Sequence, residues 1–411
     1  MDELDKEKIR RLRTWEGGGT TGPLKIDIEL HRRCNLKCLS CSRRNDEKYG
    51  NINEFSETIE MPVGKWLSIV DEAAELDVRE WHIAGGGEPL FLPQVTWPVM
   101  ERIKRHGMYG ILTTNGTLWS EERLRQLVEM GWDRIHFSVD GPDASTHDGL
   151  RGVKGAFEKT CRSIRSLARF REECGSDKPM LNMNSVLSVR NYEKLPEFVE
   201  LAHDLGIEYM FVEPLIVYSE TGRRLKLKRD HLRRFPAYLA EAKARAKEYG
   251  IFSNFAAFDT YADDSNLDEE LIAKSSSMDV VVRRDAEAFL GKGALSWSCY
   301  DPWFHMSIKA DGYVSHCDVA TDSGDNIKEK TLSDVWFGPY FQGLRDHFMQ
   351  QKTKDYCAQC NPSHTTQRRW LRKHMQQSKD SCSQGPKGAE PREGTSTWQR
   401  IAELFRVRRD G

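Results

Sequence analysis

The amino-acid sequence predicts an α/β protein whose main unit is an open, partial (β/α)6 barrel, followed by a smaller unit built on a β-hairpin and helices. Three observations predict it. Between residue 24 and about residue 250, six short β-rich runs alternate with longer amphipathic ones, the pattern of a parallel sheet covered by helices. Six such units are too few to close an eight-fold barrel. Groups of chemistry-bearing residues also directly follow the strands, at the C-terminal ends where such folds keep their chemistry.

Taken in order, residues 1–22 form an N-terminal extension. It opens "MDELDKEKIRRLR", charged from the second residue and lacking the apolar core of a signal peptide. The expected strands are "LKIDIEL" (24–30), "EWHIAG" (80–85), "YGILTTN" (109–115), "RIHFSVD" (134–140), "LNMNSVLS" (181–188) and "EYMFVEP" (208–214). Helical patterns lie between them. In "SEERLRQLVEMG", Ser120 reads as a cap and Gly131 as a stop. In "NYEKLPEFVELAHDLG", apolar residues recur at helical spacing. The barrel unit is expected over 23–250. Residues 251–296 read as a mixed-charge connection. A second unit is expected over 297–377, where "FHMSIKADGYVSHC" reads as a hairpin turning at Asp311-Gly312. Residues 378–411 read as a flexible Gly/Pro/Ser linker ending in a short amphipathic helix, "WQRIAELFRVRRDG".

The totals narrow the function. Charged residues make up 30% of the 411 and nearly cancel, leaving a formal charge of −2, so no overall field points to nucleic acid or an acidic membrane surface. No apolar run approaches the ~20 residues of a membrane span. A cytoplasmic location is expected, and there the ten cysteines more readily bind metal or pack as small hydrophobes than pair as disulfides.

Three of the ten, Cys34, Cys38 and Cys41, fall within eight residues after the first strand. One reading is zinc, with His31 as fourth ligand, although structural zinc prefers paired spacings such as C-x2-C. The other is a cubane iron–sulfur cluster. Such clusters usually take four cysteines, so three leave one iron open to a small molecule carrying an amine and a carboxylate.

The spacing C-x3-C-x2-C after a first strand resembles the signature of the radical S-adenosylmethionine (radical SAM) superfamily, whose fold is a partial (β/α)6 TIM-like barrel. The resemblance implies that Cys34, Cys38 and Cys41 hold a 4Fe–4S cluster whose open iron binds S-adenosylmethionine (SAM). An electron from the cluster would then cleave SAM to a 5′-deoxyadenosyl radical. Ser40 stands where the family commonly has an aromatic residue. "AGGGEPLF" (84–91) is similar to the family's "GGEP" motif and implies that Gly86, Gly87 and Glu88 hold the SAM ammonium. "SVDGPDASTHDGLRG" (138–152) is similar to a further family pattern. It implies SAM contacts from Ser138 and Asp140, with Arg151 on the carboxylate. Asn184, on the fifth strand, is a further candidate SAM contact. The catalytic residue stays open, with Glu213 and Arg151 as candidates.

Cys299, Cys317, Cys357 and Cys360 form a second group, a hairpin between the first two and a C-x2-C for the others. A zinc ribbon is the alternative. The arrangement resembles the auxiliary-cluster extension called SPASM, or its shorter form, twitch. Because no cysteine follows until Cys382, the twitch form with one auxiliary 4Fe–4S cluster is expected. Four protein ligands suit electron transfer. Cys161 and Cys174 read as packing or surface thiols, and Cys382 as free.

The resemblance implies hydrogen-atom abstraction and a two-electron oxidation. The expected reaction is dehydrogenation of a small polar metabolite such as a sugar or aminocyclitol, with flavodoxin or ferredoxin as electron donor. The basic run "RRLKLKRDHLRR" (223–234) could meet an anionic substrate or be a solvated helix face. The alternative enzyme is a maturase of ribosomal peptides. About 23 residues precede the first strand, which is short for the peptide-recognition domain many such enzymes carry. A zinc-stabilised nucleic-acid-binding or scaffold protein is the alternative from another class. It leaves "GGEP" and "SVDGP" unexplained and needs a basic face.

Overall fold

The computed structural model describes residues 3–41, 60–217, 219–261, 294, 297–320, 324–360 and 362–383. Most of the expected connection and the expected terminal amphipathic helix lie outside the described residues.

All six expected strands form: β1 Lys25–Ile28, β2 Glu80–Ile83, β3 Tyr109–Thr114, β4 Arg134–Ser138, β5 Met180–Leu187 and β6 Tyr209–Pro214. Each pairs in parallel with the next, and a two-residue β7, Phe252–Ser253, extends the row beyond the expected end of the unit. Helices connect them in the gaps. Ser120 accepts a hydrogen bond from Arg123 N at 3.2 Å and caps the helix Glu121–Glu129, as its sequence position suggests.

The two faces of the sheet differ in a way that builds the site. Outward positions such as Trp81, Ile83, Leu112, Ile135, Phe137, Met183 and Met210 are essentially inaccessible. They pack beneath helix residues including Ile69, Val70, Ile103, Ile164 and Phe198, each such burial contributing about 1.5–3 kcal/mol. Inward positions are polar and converge. His82 of β2 packs edge-on against His136 of β4, with ring centroids 5.4 Å apart across the intervening strand. That contact is possible only on the concave side of a curved sheet.

The second unit is continuous with the first. Its hairpin, β8 His305–Ile308 and β9 Tyr313–Ser315, turns at Asp311-Gly312 as expected, and β8 pairs in parallel with β1. With β10 Asp325–Asn326, the described strands make one sheet in the order β10-β9-β8-β1-β2-β3-β4-β5-β6-β7. The N-terminal extension contains a helix, Glu3–Glu16, fixed by Arg11, which donates to Gly22 O at 2.8 Å and Asp77 O at 2.6 Å. A helix from Pro362 to Ser383 runs past the expected linker boundary at 378. It includes the position of Cys382. No helix among the described residues is long and apolar enough to cross a membrane.

Candidate active site

The loop after β1 carries the three cysteines, and three neighbouring segments hold it. From the C-terminal end of the helix Ala144–Arg151, Arg151 O accepts from Lys37 N at 3.0 Å and Leu150 O from Leu39 N at 2.8 Å. Gly152 then turns away with φ 71°, and a Cβ there would stand 2.3 Å from Lys37 O. On the other side, Glu88 N donates to Arg33 O at 2.8 Å. A Cβ on Gly87 would meet Arg33 O at 2.1 Å, and one on Gly86 would meet His31 O at 2.5 Å, so only glycine lets the two loops approach this closely. The hairpin turn closes the third side, where Lys309 Nζ reaches Glu29 Oε1 at 2.7 Å and Arg32 ion-pairs with Asp311.

The sulfurs sit among N–H donors. Leu36 N donates to Cys34 Sγ at 3.4 Å, Asn115 Nδ2 approaches the same sulfur at 3.9 Å, and Arg151 Nη1 approaches Cys38 Sγ at 3.8 Å. Burial pushes the Cys38 thiol up, the Arg151 guanidinium opposes this, and Asp140 and the Cys41 and Cys34 thiols add to the rise. The three thiols therefore share one electrostatic site. Donors and a cation around sulfur are what thiolate ligands of an iron–sulfur cluster require, so this loop fits a cluster. The zinc reading fits poorly. His31 is buried, its Nε2 lies 3.3 Å from Pro89 O and its Nδ1 accepts from Arg33 N at 3.3 Å.

The other expected contacts gather at the same strand ends. Glu88 is 2% exposed, and its carboxylate accepts from Thr114 Oγ1 at 2.6 Å, Asn115 N at 2.7 Å and Leu90 N at 3.4 Å. Burial raises its pKa while these three bonds oppose the rise. The side chain thus ties the glycine loop to the end of β3. Asp140 is buried, accepts from Val186 N at 3.0 Å and pairs with Arg151 Nε at 3.0 Å. Burial disfavours the Arg151 charge, but Asp140 and the Cys38 and Cys34 thiols outweigh it and raise its pKa. Ser138 ends β4 in register with Asn184 of β5, whose Nδ2 lies 3.4 Å from His136 Nδ1. Glu213, at the end of β6, is pushed up to about 7, first by burial and then by Asp318, with His364 opposing and Asp140 adding.

Cys299, Cys317, Cys357 and Cys360 also converge. Burial, then Asp301, then Cys299, drive the Cys317 thiol well above its ordinary value, and burial pushes Cys357 up to about 11. Arg368 donates to Cys360 Sγ at 3.4 Å and to Ser298 O at 3.0 Å. Four thiols with a guanidinium on one sulfur fit a second cluster. By contrast, Cys161 is buried in the helix Ala156–Glu173, where burial raises it to about 11, and Cys174 is exposed at its end. In the basic run 223–234 the leucines Leu225, Leu227 and Leu232 are buried, while the exposed arginines pair locally, Arg223 and Arg224 on Glu220, Arg233 on Asp230 and Arg234 on Glu193.

Sequence reasoning missed the inner wall of the barrel. Asp27 Oδ2 lies 3.0 Å from His305 Nε2, and Asp27 Oδ1 lies 3.2 Å from Lys25 Nζ and 3.7 Å from His82 Nδ1. Burial opposes ionisation of Asp27, but Lys25 and His305 hold its carboxyl well below the usual range. The signal was present in "KIDI", "EWHI" and "RIHF", where polar residues alternate with apolar ones at period two.

Comparison with known proteins agrees with this geometry. The Radical SAM superfamily model matches residues 28–202, and the SPASM iron–sulfur cluster-binding domain matches residues 299–361. The chain is 32% identical over 332 residues to a PqqA peptide cyclase of Granulibacter bethesdensis, covering 79% of this chain and 76% of that one. It is 26% identical over 341 residues to the tungsten-containing aldehyde ferredoxin oxidoreductase cofactor-modifying protein of Pyrococcus furiosus, covering 81% and 86%. Among solved structures, Streptococcus suis SuiB bound to the precursor peptide SuiA superposes with TM-score 0.57 at 18% identity, over 83% of this chain and 70% of that one.

Proposed function

The chain belongs to the radical SAM superfamily and carries a C-terminal SPASM iron–sulfur domain, and from that premise we propose that it modifies a ribosomally made peptide. The observation that carries the reading is the 32% identity to a peptide cyclase over 79% of this chain. The likeness to SuiB supports the fold alone. Dehydrogenation of a sugar or aminocyclitol gains no support from these relatives.

The cofactors are a 4Fe–4S cluster with SAM, and auxiliary iron–sulfur in the SPASM domain. In the proposed assignment Cys34, Cys38 and Cys41 hold the first cluster. Cys299, Cys317, Cys357 and Cys360 hold one auxiliary cluster. When bound, the first cluster and SAM supply reductive cleavage and hydrogen-atom abstraction. The chain's own residues position and shield. Gly86 and Gly87 bring backbone close to the cysteine loop, and Glu88 fixes that backbone to β3. Arg151, neutralised by Asp140, lies beside Cys38. Glu213 puts a carboxyl group at the end of β6, Asp318 stands beside Asp27 and His305, and a flavodoxin or ferredoxin is the proposed electron donor.

The test is iron and sulfide content after anaerobic reconstitution, together with 5′-deoxyadenosine formation and the mass of a co-expressed candidate peptide. About eight irons per chain, falling to about four in Cys34→Ala/Cys38→Ala/Cys41→Ala, with loss of SAM cleavage and of the peptide mass change, is the expected result. Robust turnover of a small metabolite with no peptide modified would overturn the peptide assignment.

A further inference from the structure

The inner face of the barrel is polar, where closed barrels of this architecture are filled with branched apolar side chains. Accessibility alternates along β2, β4 and β6, with inward positions partly open and outward ones buried. The open wall includes His82, Thr113, His136, Asn184, Phe211 and Glu213.

The unpaired groups of this wall are mostly acceptors, with one donor among them. Asn184 uses its Nδ2 on His136, and its Oδ1 is buried with no donor among the described residues. Asn182, one step deeper and 1% exposed, also leaves Oδ1 without a donor. Glu213 adds a carboxyl, with Asp318 the anion acting on it most strongly and His364 the opposing group. The cations on or bordering the same face are engaged. Lys25 lies on Asp27 and Glu80, Arg151 on Asp140 and Lys309 on Glu29, while Arg134 stacks over Tyr109 with its guanidinium 5.8 Å from the ring centre. His82 Nε2 is 2.8 Å from Thr113 Oγ1, and burial lowers the pKa of both His82 and His136, against the pull of Asp27. With Nδ1 accepting from Asn184, His136 presents a single N–H at Nε2, which has no partner.

We propose that this wall is the pocket for the reacting segment of the substrate, and that it selects a group rich in N–H donors, an amide or an amine, over a carboxylate or phosphate. The inference rests on the proposed function and deepens it by naming the chemistry the pocket accepts, and it assigns Asn184 to the substrate rather than to SAM. An incoming N–H satisfies acceptors that otherwise stay buried and unpaired. A carboxylate brings no donor to Asn182 and Asn184 and faces the carboxyls of Glu213 and Asp318. Peptide N–H groups and glutamine, asparagine or lysine side chains carry the matching pattern.

The test uses cluster-loaded, SAM-bound enzyme labelled with 15N-histidine and titrated with butyramide, n-butylamine and butyrate. The amide and the amine should shift the His82 and His136 imidazole resonances with at least tenfold higher affinity than butyrate. Asn184→Leu should reduce the preference for the amide severalfold, and Glu213→Gln should reduce that for the amine. Butyrate binding as tightly as butyramide, preferences unchanged in both variants, or no imidazole shift with any probe at saturation would each overturn the proposal. The peptide reading fails separately. An enzyme that prefers amide and amine probes yet changes the mass of no peptide retains this pocket and loses that assignment.

Discussion

Replacing Gly152 by alanine separates the barrel's general stability from the support of the cysteine loop. Gly152 has φ 71°, and its added Cβ would lie 2.3 Å from Lys37 O, against 3.4 Å for an ordinary contact. The left-handed conformation alone costs an alanine roughly 1–2 kcal/mol. Relief of the clash moves the loop by about 1 Å and disturbs the bonds Lys37 N to Arg151 O and Leu39 N to Leu150 O, each contributing about 0.5–1.5 kcal/mol. The sum is about 2–5 kcal/mol, concentrated where Cys38 sits. Gly131 is the matched control, because its φ is 67° and nothing stands within 4 Å of an added Cβ. Gly131→Ala should therefore lose only the conformational part. Urea unfolding gives the stabilities, and iron per chain after anaerobic reconstitution reports the loop. Gly152→Ala should fall from about eight irons toward about four while Gly131→Ala stays near eight. Equal losses of stability and equal iron in the two variants would refute the assigned contact.

Three further outcomes follow from the site. Glu213 binds its proton more tightly in the folded state, about 7 against an ordinary 4.5, so its stabilising contribution is full below 4.5 and is lost as pH rises through 7. Wild type should lose roughly 1–3 kcal/mol more than Glu213→Gln between those limits, and parallel unfolding curves across that range would sink the assignment. Arg151→Met leaves buried Asp140 without its partner and should cost about 3–5 kcal/mol. It should also slow iodoacetamide alkylation of Cys38 in cluster-free protein, because Arg151 lowers that thiol's pKa. Unchanged alkylation would count against the contact. Arg368→Gln removes a positive charge from beside Cys360 and should lower the reduction potential of the auxiliary cluster alone. An EPR-monitored titration in which both clusters shift equally would contradict the separation of the two sites.

The strands of the barrel were legible because each is a short local run whose apolar residues must face helices. "EWHI" and "RIHF" carry that requirement within four residues. The two cysteine groups were legible as well, the first because its three cysteines crowd one loop and the second because a hairpin and a C-x2-C each set a short spacing. Other features depend on residues distant in the chain. Glu88 reads as a ligand contact within its motif, and its carboxylate also accepts from Thr114, Asn115 and Leu90, a tie that only the packing of the glycine loop on β3 decides. The hairpin reads as the start of a separate unit, yet β8 joins β1 and aligns His305 with Lys25. The register sets His305 Nε2 3.0 Å from Asp27 Oδ2, although 278 residues separate the two in sequence. Local composition and spacing thus determined the barrel strands and the two cysteine groups. Curvature of the sheet decided which polar side chains share its concave face, because burial and charge there depend on neighbours that no local window contains.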